Sequence, residues 1–400
     1  MANTLKLGAG KWATGKDTVL AFNDENNNFK PLPFSFSRAS SATVVNQSGL
    51  IETVGSGEPR IDFSNDVKGA LLLEPSRTNL ITNSNNLTTW NGAAMTRTLV
   101  DDLINPSNGL DASKLLQSAS GGYAWLSRTF TGNETFSAFV KKDSSNFVRL
   151  YAGGNSVYFN ILNGTIETIS GSVEDKSIID YGNGWFRISI SVNSTAASYV
   201  RIYPASSGSS SSGTNSLFVY GAQLEQGSYA TSYIPTQGGA VTRVAESCEQ
   251  TVPDGIINSS EGVLYFESKA LTDTDDSRIS LSDGNANGNN RISFSYSPNI
   301  NTAYCIVQLG GVQAMYDLNV PLTNQTEYKK FAIKWKSGDL AFWVDGVKLI
   351  SNNGIFTAGT MDKLRFNNAS GGSGFKAKVK DVRVYNQILT DQELINLTTI

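Results

Sequence analysis

Residues 184–192 read Gly184-Trp-Phe-Arg-Ile-Ser-Ile-Ser-Val192, and this stretch decides the fold class. Phe186, Ile188, Ile190 and Val192 alternate with Arg187, Ser189 and Ser191. A period of two puts the apolar side chains on one face of a strand and the polar ones on the other. Asn183-Gly184, where the stretch begins, suits a two-residue hairpin turn in which both residues need positive φ. The pattern continues outward. Phe136, Phe139 and Val140, then Val200 and Ile202, then Leu217, Val219 and Gly221 supply further short strands. Gly132-Asn133, Gly153-Gly154 and Asn163-Gly164 are turn signals between them. Short strands at regular spacing predict an antiparallel sandwich or barrel over residues 80–245. The serine-rich tract at 206–216 lies between two of these strands and reads as a floppy surface loop, not a domain linker.

The interruptions Gly238-Gly239, Pro253 and Gly255 mark a boundary, and a second β-domain is expected over 246–400. Gly262-Val-Leu-Tyr-Phe-Glu267 opens it. Lys330-Phe-Ala-Ile-Lys-Trp335 and Leu340-Ala-Phe-Trp-Val344 are two alternating strands, and Asp345-Gly346 makes the next tight turn. Phe375, Ala377 and Val379 alternate with Lys376, Lys378 and Lys380, which predicts a sheet with one wet face. The single expected helix is terminal: Thr390-Asp-Gln-Glu393 is a capping box, followed by Leu394, Ile395 and Leu397. Residues 1–79 are set apart as a connector. They hold Gly8, Gly10, Gly15, a polar cluster from Asn23 to Asn28, Pro31 and Pro33, and then short apolar segments broken by Gly and Pro.

The chain has 400 residues, 32 basic and 35 acidic, for a formal charge of −3. That balance argues against nucleic acid or an anionic membrane as the main partner, since both need a basic face. Histidine is absent, so a Ser-His-Asp triad, a Cys-His pair and a His-ligated zinc are excluded. Cys248 and Cys305 are too few for a thiolate metal site and are read as free, buried thiols. The N-terminus has no apolar run of the signal-peptide type, and no stretch approaches the ~20 apolar residues of a membrane span. A soluble protein outside the general secretory route is expected. Gly10-Lys-Trp-Ala-Thr-Gly-Lys16 copies phosphate-loop spacing, but Asp17 stands where Mg²⁺ needs Ser or Thr, and neither a preceding strand nor a following helix is expected. Arg60, Asp62, Glu74 and Arg77 resemble a catalytic charge cluster and are read instead as ion pairs pinning the connector.

Four parts of the sequence resemble known families. Phe36-Ser-Arg38-Ala-Ser-Ser-Ala-Thr43 with Leu71-Leu-Leu-Glu-Pro-Ser-Arg77-Thr-Asn-Leu80 is similar to a segment common in appendage proteins of tailed bacteriophages. Phe218-Val-Tyr-Gly-Ala-Gln-Leu-Glu225, with Tyr229-Ala-Thr-Ser-Tyr-Ile-Pro235, resembles the closing strand of a carbohydrate-binding jelly roll. Phe342-Trp-Val-Asp-Gly346 and the run from Asp381 to Asp391 resemble the concanavalin-A-like, laminin-G-like fold. Leu7–Trp12 and Asn23–Asn26 resemble the leader of such proteins from phages of Bacteroidetes. The fold implied is all-β: an N-terminal anchoring segment (1–79), two tandem β-sandwich jelly rolls (80–245 and 246–400) and one short C-terminal helix.

The resemblance implies a non-enzymatic virion protein, a tail or head fibre made in the host cytoplasm. It would be a homotrimer gripping other virion proteins through the N-terminal segment and adhering to host surface polysaccharide by avidity. The alternative is a purely structural adaptor, with a glycan depolymerase third. Glycosidic cleavage needs two carboxylates about 5–10 Å apart. The Glu-x-Asp-x-x-Glu run that carries them in such folds is absent, and Asp273, Asp275 and Asp276 are read as a solvated turn. Sugar binding needs an aromatic platform with polar groups beside it. Trp90, Tyr123, Trp125 and Arg128 are the candidates, whereas Trp185, Trp335 and Trp343 sit mid-strand and are read as core. Cofactors are not expected. Asp283, Asn285 and Asn287 copy half of a calcium loop, but Phe294 occupies the twelfth position, where an acid is needed, and an Asn-Gly hairpin explains the spacing with fewer assumptions.

Overall fold

The computed structural model describes residues 4–22, 31–64, 66–272, 274–369, 371–372 and 374–400. Their regular secondary structure is almost entirely β-strand, with one eight-residue α-helix at Asp391–Thr398. The expected all-β class is the observed one. The chain divides into a central unit, Ala42–Thr53 with Ser76–Arg243, and a C-terminal unit, Met1–Ser41 with Val54–Pro75 and Val244–Ile400.

The central unit is a sandwich of two six-stranded antiparallel sheets. The first runs Asn91–Ala93, Tyr123–Thr129, Ala197–Ala205, Phe147–Ala152, Asn155–Asn160, Thr165–Ser170. The second runs Met95–Val100, Ala112–Gln117, Ser216–Gln226, Gly132–Lys142, Trp185–Ser194, Asp175–Asp180. Ile188, Ile190 and Val192 of the opening stretch lie between the sheets with Phe136, Val148, Leu150, Phe159 and Ile202. Asn183 and Gly184 take φ of 52° and 78°, as the turn requires.

The polar side of that stretch is not wet. Arg187, Ser189 and Ser191 are buried, because a further layer covers the outer face of the second sheet. Val45 and Ile51, from the paired strands Ala42–Val45 and Ile51–Val54, pack there with Phe139, Trp185, Tyr220 and Tyr233. The serines satisfy one another across strands: Ser191 shares a hydrogen bond with Thr135 at 2.6 Å, and Ser189 with Ser177 at 2.7 Å.

In the C-terminal unit, Leu5–Gly8 pairs with Ala377–Tyr385, which also pairs with Ala70–Leu73 and Glu261–Ala270. Glu261–Ala270 leads on to Lys329–Lys336, Leu340–Val344 and Val347–Asn352. A facing series runs Pro31–Ser37, Ser247–Thr251, Lys363–Arg365, Ser277–Ser282, Arg291–Tyr296, Thr302–Leu309, Val312–Pro321. Phe34, Phe266, Phe294, Phe331 and Phe342 share the core.

Residues 1–79 are therefore not a connector separate from the folded domains. Where described, 4–41 and 54–75 belong to the C-terminal unit, while 42–53 belongs to the central one. Their short apolar segments fill vacant sheet positions that only long-range pairing defines. Cys248 and Cys305 are both buried and free in this one core.

The phosphate-loop look-alike lies between Leu5–Gly8 and Thr18–Phe22, and a strand follows it instead of a helix. The terminal helix carries its capping box: Thr390 Oγ1 accepts from Glu393 N, and Glu393 accepts from Thr390 N. Leu394 packs with Trp343 and Tyr265 on the sheet. Among the described residues no helix is long and apolar enough to cross a membrane.

Candidate functional site: the open face of the central unit

A strand whose alternate side chains enter the core must present the others outward. In the first sheet of the central unit Ala124, Val148, Leu150, Val157, Val200 and Ile202 point inward. The positions between them are Tyr123 and Trp125, Arg149 and Tyr151, Tyr158, and Tyr199, Arg201 and Tyr203. Outward positions on the strand 185–194 hold Trp185, Arg187, two Ser and Asn193, with Trp185 covered by Val45 and Ile51, whereas this face holds mostly rings and guanidinium groups.

Register fixes who meets whom. Trp125 lies opposite Arg201, which lies opposite Tyr151, while Arg149 lies between Tyr203 and Tyr158. The Arg201 guanidinium carbon stands 4.7, 4.7 and 4.5 Å from the ring centroids of Tyr123, Tyr151 and Tyr199. The Arg149 carbon stands 4.9, 5.5 and 5.9 Å from those of Tyr203, Tyr158 and Tyr151. Trp125 meets Tyr199 edge-on at 5.1 Å, and Tyr123 tilts against Tyr203 at 4.7 Å. Each cation–ring contact stabilises by about 0.5–1 kcal/mol when exposed and more when desolvated. Together they fix a lattice of flat rings and planar cations.

Charge on this face stays positive. Burial works to lower the Arg201 pKa, but the hydrogen bond that its guanidinium donates to Tyr203 Oη at 3.1 Å and the neighbouring phenol oxygens hold it above the ordinary arginine value. Burial pushes the Tyr203 hydroxyl up, so it remains neutral. The Tyr158 hydroxyl reaches Ser211 of the serine-rich loop at 3.4 Å. That loop is held across the sheet edge by Gln117, whose Nε2 donates to Ser211 O at 3.2 Å.

Of the four sequence candidates, Tyr123 and Trp125 lie on this face together. Trp90 does not: only 2% exposed, it packs in the inter-sheet core 6.3 Å from Phe136. The cause is local, since Asn86 caps the turn Leu87–Thr89 and that turn delivers Trp90 inward. Arg128, of the opposite strand parity, donates to the buried carboxylate of Glu134 at 2.9 and 3.2 Å. Arg149, Tyr151, Tyr199, Arg201 and Tyr203 were not singled out from sequence. Their signal is visible in Tyr199-Val-Arg-Ile-Tyr203 and Arg149-Leu-Tyr151, where the outward half of the alternation is aromatic and basic.

The other candidates have structural partners. Arg60 is fully buried and donates to Glu246 at 2.6 Å and Glu74 at 2.7 Å, while Lys378 pairs with Asp62 at 2.8 Å. In the central unit Arg77 stands 3.9 Å from Glu225. These are the pinning ion pairs expected. Asn79, Gln223 and Glu225, of the phage-like and jelly-roll-like motifs, are tied into one buried network. Asn79 donates to Ile234 O, Gln223 to Glu225, and Thr231 to Glu225. Trp185, Trp335 and Trp343 are buried as expected.

Asp275 pairs with Lys376 and Asp276 with Arg278, while Asp273 lies outside the described residues. In the calcium-loop look-alike, Asp283 accepts from Asn285 N and Asn290 Nδ2, and Asn287 accepts from Asn289 N. Among the described residues no group of three or more acidic or cysteine side chains could hold a metal ion. A pocket of about 350 Å³ lies elsewhere in the central unit against Leu103, Asn105, Lys141, Tyr181 and Trp185. Two of its polar groups are spent internally: Lys141 Nζ donates to Asn183 O and Trp185 Nε1 to Ile104 O.

No family model and no curated protein matches the chain. Solved structures give slight likenesses. The CBM40 of the Ruminococcus gnavus IT-sialidase, bound to α2,3-sialyllactose, is 13% identical over 35% of this chain and 83% of its own, with a TM-score of 0.28. A Trypanosoma rangeli sialidase in complex with the inhibitor DANA is 11% identical over 95% of this chain and 65% of its own, with a TM-score of 0.30. Domains LG4-5 of mouse laminin α1 are 7% identical over 78% of this chain and 89% of their own, with a TM-score of 0.26. Likeness at this level assigns neither a fold nor a ligand.

Proposed function

We propose that this chain is a carbohydrate-binding protein that works without cleaving its ligand, through the open face of the central unit. The observation that carries the reading is the contrast between the two outer faces. One is covered by the chain's own residues 42–53 and Tyr233, while the other carries Trp125, Tyr123, Tyr151 and Tyr199, each only half-buried. Flat rings offer the apolar face of a pyranose its surface, and adjacent donors take its hydroxyls.

The finer reading rests on the sequence resemblance: a virion appendage, trimeric, adhering to host surface polysaccharide. Single contacts of millimolar order would multiply over symmetric copies by about 10²–10⁴. In this reading the virion-anchoring surface lies on the C-terminal unit, to which the strands from Leu5 to Ser37 contribute. A second reading, an adaptor whose face docks a neighbouring virion protein, draws support from the same residues, since Trp, Tyr and Arg are enriched at protein interfaces.

The test is binding of the protein in its native oligomeric state to host cells and extracted surface polysaccharide. Saturable binding, weakened about tenfold or more by Trp125→Ala or Tyr199→Ala with no reducing ends released, is expected. Absence of binding at high micromolar concentration turns the assignment to the adaptor, and released reducing ends turn it to a depolymerase.

A further inference from the structure

We infer that the saccharide taken by this face is anionic, its carboxylate held by the guanidinium groups of Arg149 and Arg201; the inference rests on the carbohydrate reading of the same face. The two arginines sit on adjacent paired strands, Arg201 opposite Tyr151 and Arg149 opposite Tyr203. Both guanidinium carbons lie within 6 Å of the one Tyr151 ring. Among the described residues neither forms an ion pair with an acidic side chain, whereas Arg128 of the same unit has Glu134 and Arg77 has Glu225. Glu167, on the edge strand Thr165–Ser170 two strands from Arg149, accepts from Thr165 Oγ1 at 2.8 Å.

Two like charges held this close on a half-desolvated surface repel, and no carboxylate of the face offsets them. Tyrosine rings stand 4.5–5.9 Å from the two guanidinium carbons, and the hydrogen-bonding nitrogens lie at the guanidinium edges. The Nε atoms of both are buried and one terminal nitrogen of Arg201 donates to Tyr203 Oη, which leaves the remaining terminal nitrogens for a ligand. A planar guanidinium fork matches a carboxylate with two parallel hydrogen bonds, which a neutral hydroxyl cannot reproduce. A sugar ring lying on Trp125 or Tyr199 with its carboxylate turned toward the arginines would use both halves of the lattice. A neutral sugar would use the rings alone.

The experiment is titration calorimetry of the full chain at native oligomeric state with polygalacturonate, hyaluronate and polysialate, with their carboxyl-reduced counterparts, with dextran and with dextran sulfate. The expected result is binding to at least one carboxylated polymer that falls about tenfold or more on carboxyl reduction. Arg149→Met and Arg201→Met should each lower it by about tenfold or more, and Arg201→Lys by less, because the charge stays while the fork is lost. Unchanged melting temperatures of the Met variants show that the sheet is intact, and Lys16→Met, at an exposed position, should leave binding unchanged.

Binding of dextran or the reduced polymers that is indifferent to both Arg→Met changes overturns this inference and leaves the carbohydrate reading standing. Binding of dextran sulfate alone overturns the carboxylate assignment. No binding to any of the polymers overturns this inference and, where host polysaccharide also fails to bind, the carbohydrate reading with it.

Discussion

Replacing Glu246 by glutamine should unfold the C-terminal unit at a markedly lower temperature. The carboxylate of Glu246, fully buried, accepts from Arg60 Nε at 2.6 Å, Arg60 Nη2 at 2.7 Å, Arg38 Nη1 at 3.1 Å and Glu74 N at 2.8 Å. Arg60 also donates to Glu74 at 2.7 Å, so two arginines and two glutamates form a buried group of zero net charge. The amide keeps the shape and removes one negative charge, leaving the group at +1 with no water to answer it. Breaking a buried pair in this way costs about 3–5 kcal/mol, because the remaining charge stays desolvated. At about 2–4 °C per kcal/mol for a domain of ~150–250 residues, the melting temperature should fall by ~6–20 °C.

Calorimetry of the full chain measures it. An exposed pair serves as comparison: Lys348→Met removes the contact with Asp391 and should change stability by no more than about 1 kcal/mol. Added salt should weaken the exposed pair and leave the buried group's effect unchanged. A fall of less than about 2 °C for Glu246→Gln would show that the group is hydrated or rearranges freely, and the argument from burial would be refuted.

Burial pushes the Cys248 thiol up to about 12 and the Cys305 thiol well above its ordinary value, so Ellman's reagent at pH 8 should find no reactive thiol in the native chain and two after guanidinium unfolding. Burial likewise raises the Tyr220 hydroxyl to about 12. Its folded pKa lies above the unfolded value near 10, so the stability it contributes is present below pH ~10 and lost as pH rises toward 12, which denaturant titrations at pH 9 and 11 would detect. Thr390→Ala removes the cap oxygen and should cost about 1 kcal/mol, read as a drop in the melting temperature. Calcium at millimolar concentration should leave the melting curve unchanged. A rise abolished by Asp283→Asn would instead assign an ion to that loop.

Much of the fold is legible in the sequence for a local reason. Alternation in 184–192, 330–335 and 340–344 is a property of adjacent residues, and a strand needs no distant information to put every second side chain on one side. Asp345-Gly346 is legible in the same way, with φ of 49° and 82° in the hairpin between Leu340–Val344 and Val347–Asn352. The capping box is written in four consecutive residues. Residues 70–73 were legible as a strand but not as a member of the C-terminal unit, and the strand at 5–8, just before the phosphate-loop look-alike, was not expected, because the partners of both lie more than three hundred positions away at 377–384.

The candidate site divides along the same line. Tyr123 and Trp125 were legible because their strand could be read, and Trp90 misled because a tryptophan beside a turn resembles one at a rim. The alternation of Tyr199, Arg201 and Tyr203 was present in the sequence, but it meant nothing until Arg149 and Tyr151 were brought beside it. Sequence by itself determined that the chain is all-β, which residues turn it and which end is helical, because those depend on backbone preference and short-range period. Only the tertiary structure decided that residues 42–53 cover one outer face of the central sandwich while the other stays open. The same outward pattern is core on one sheet and surface on the other, according to what the rest of the chain lays over it.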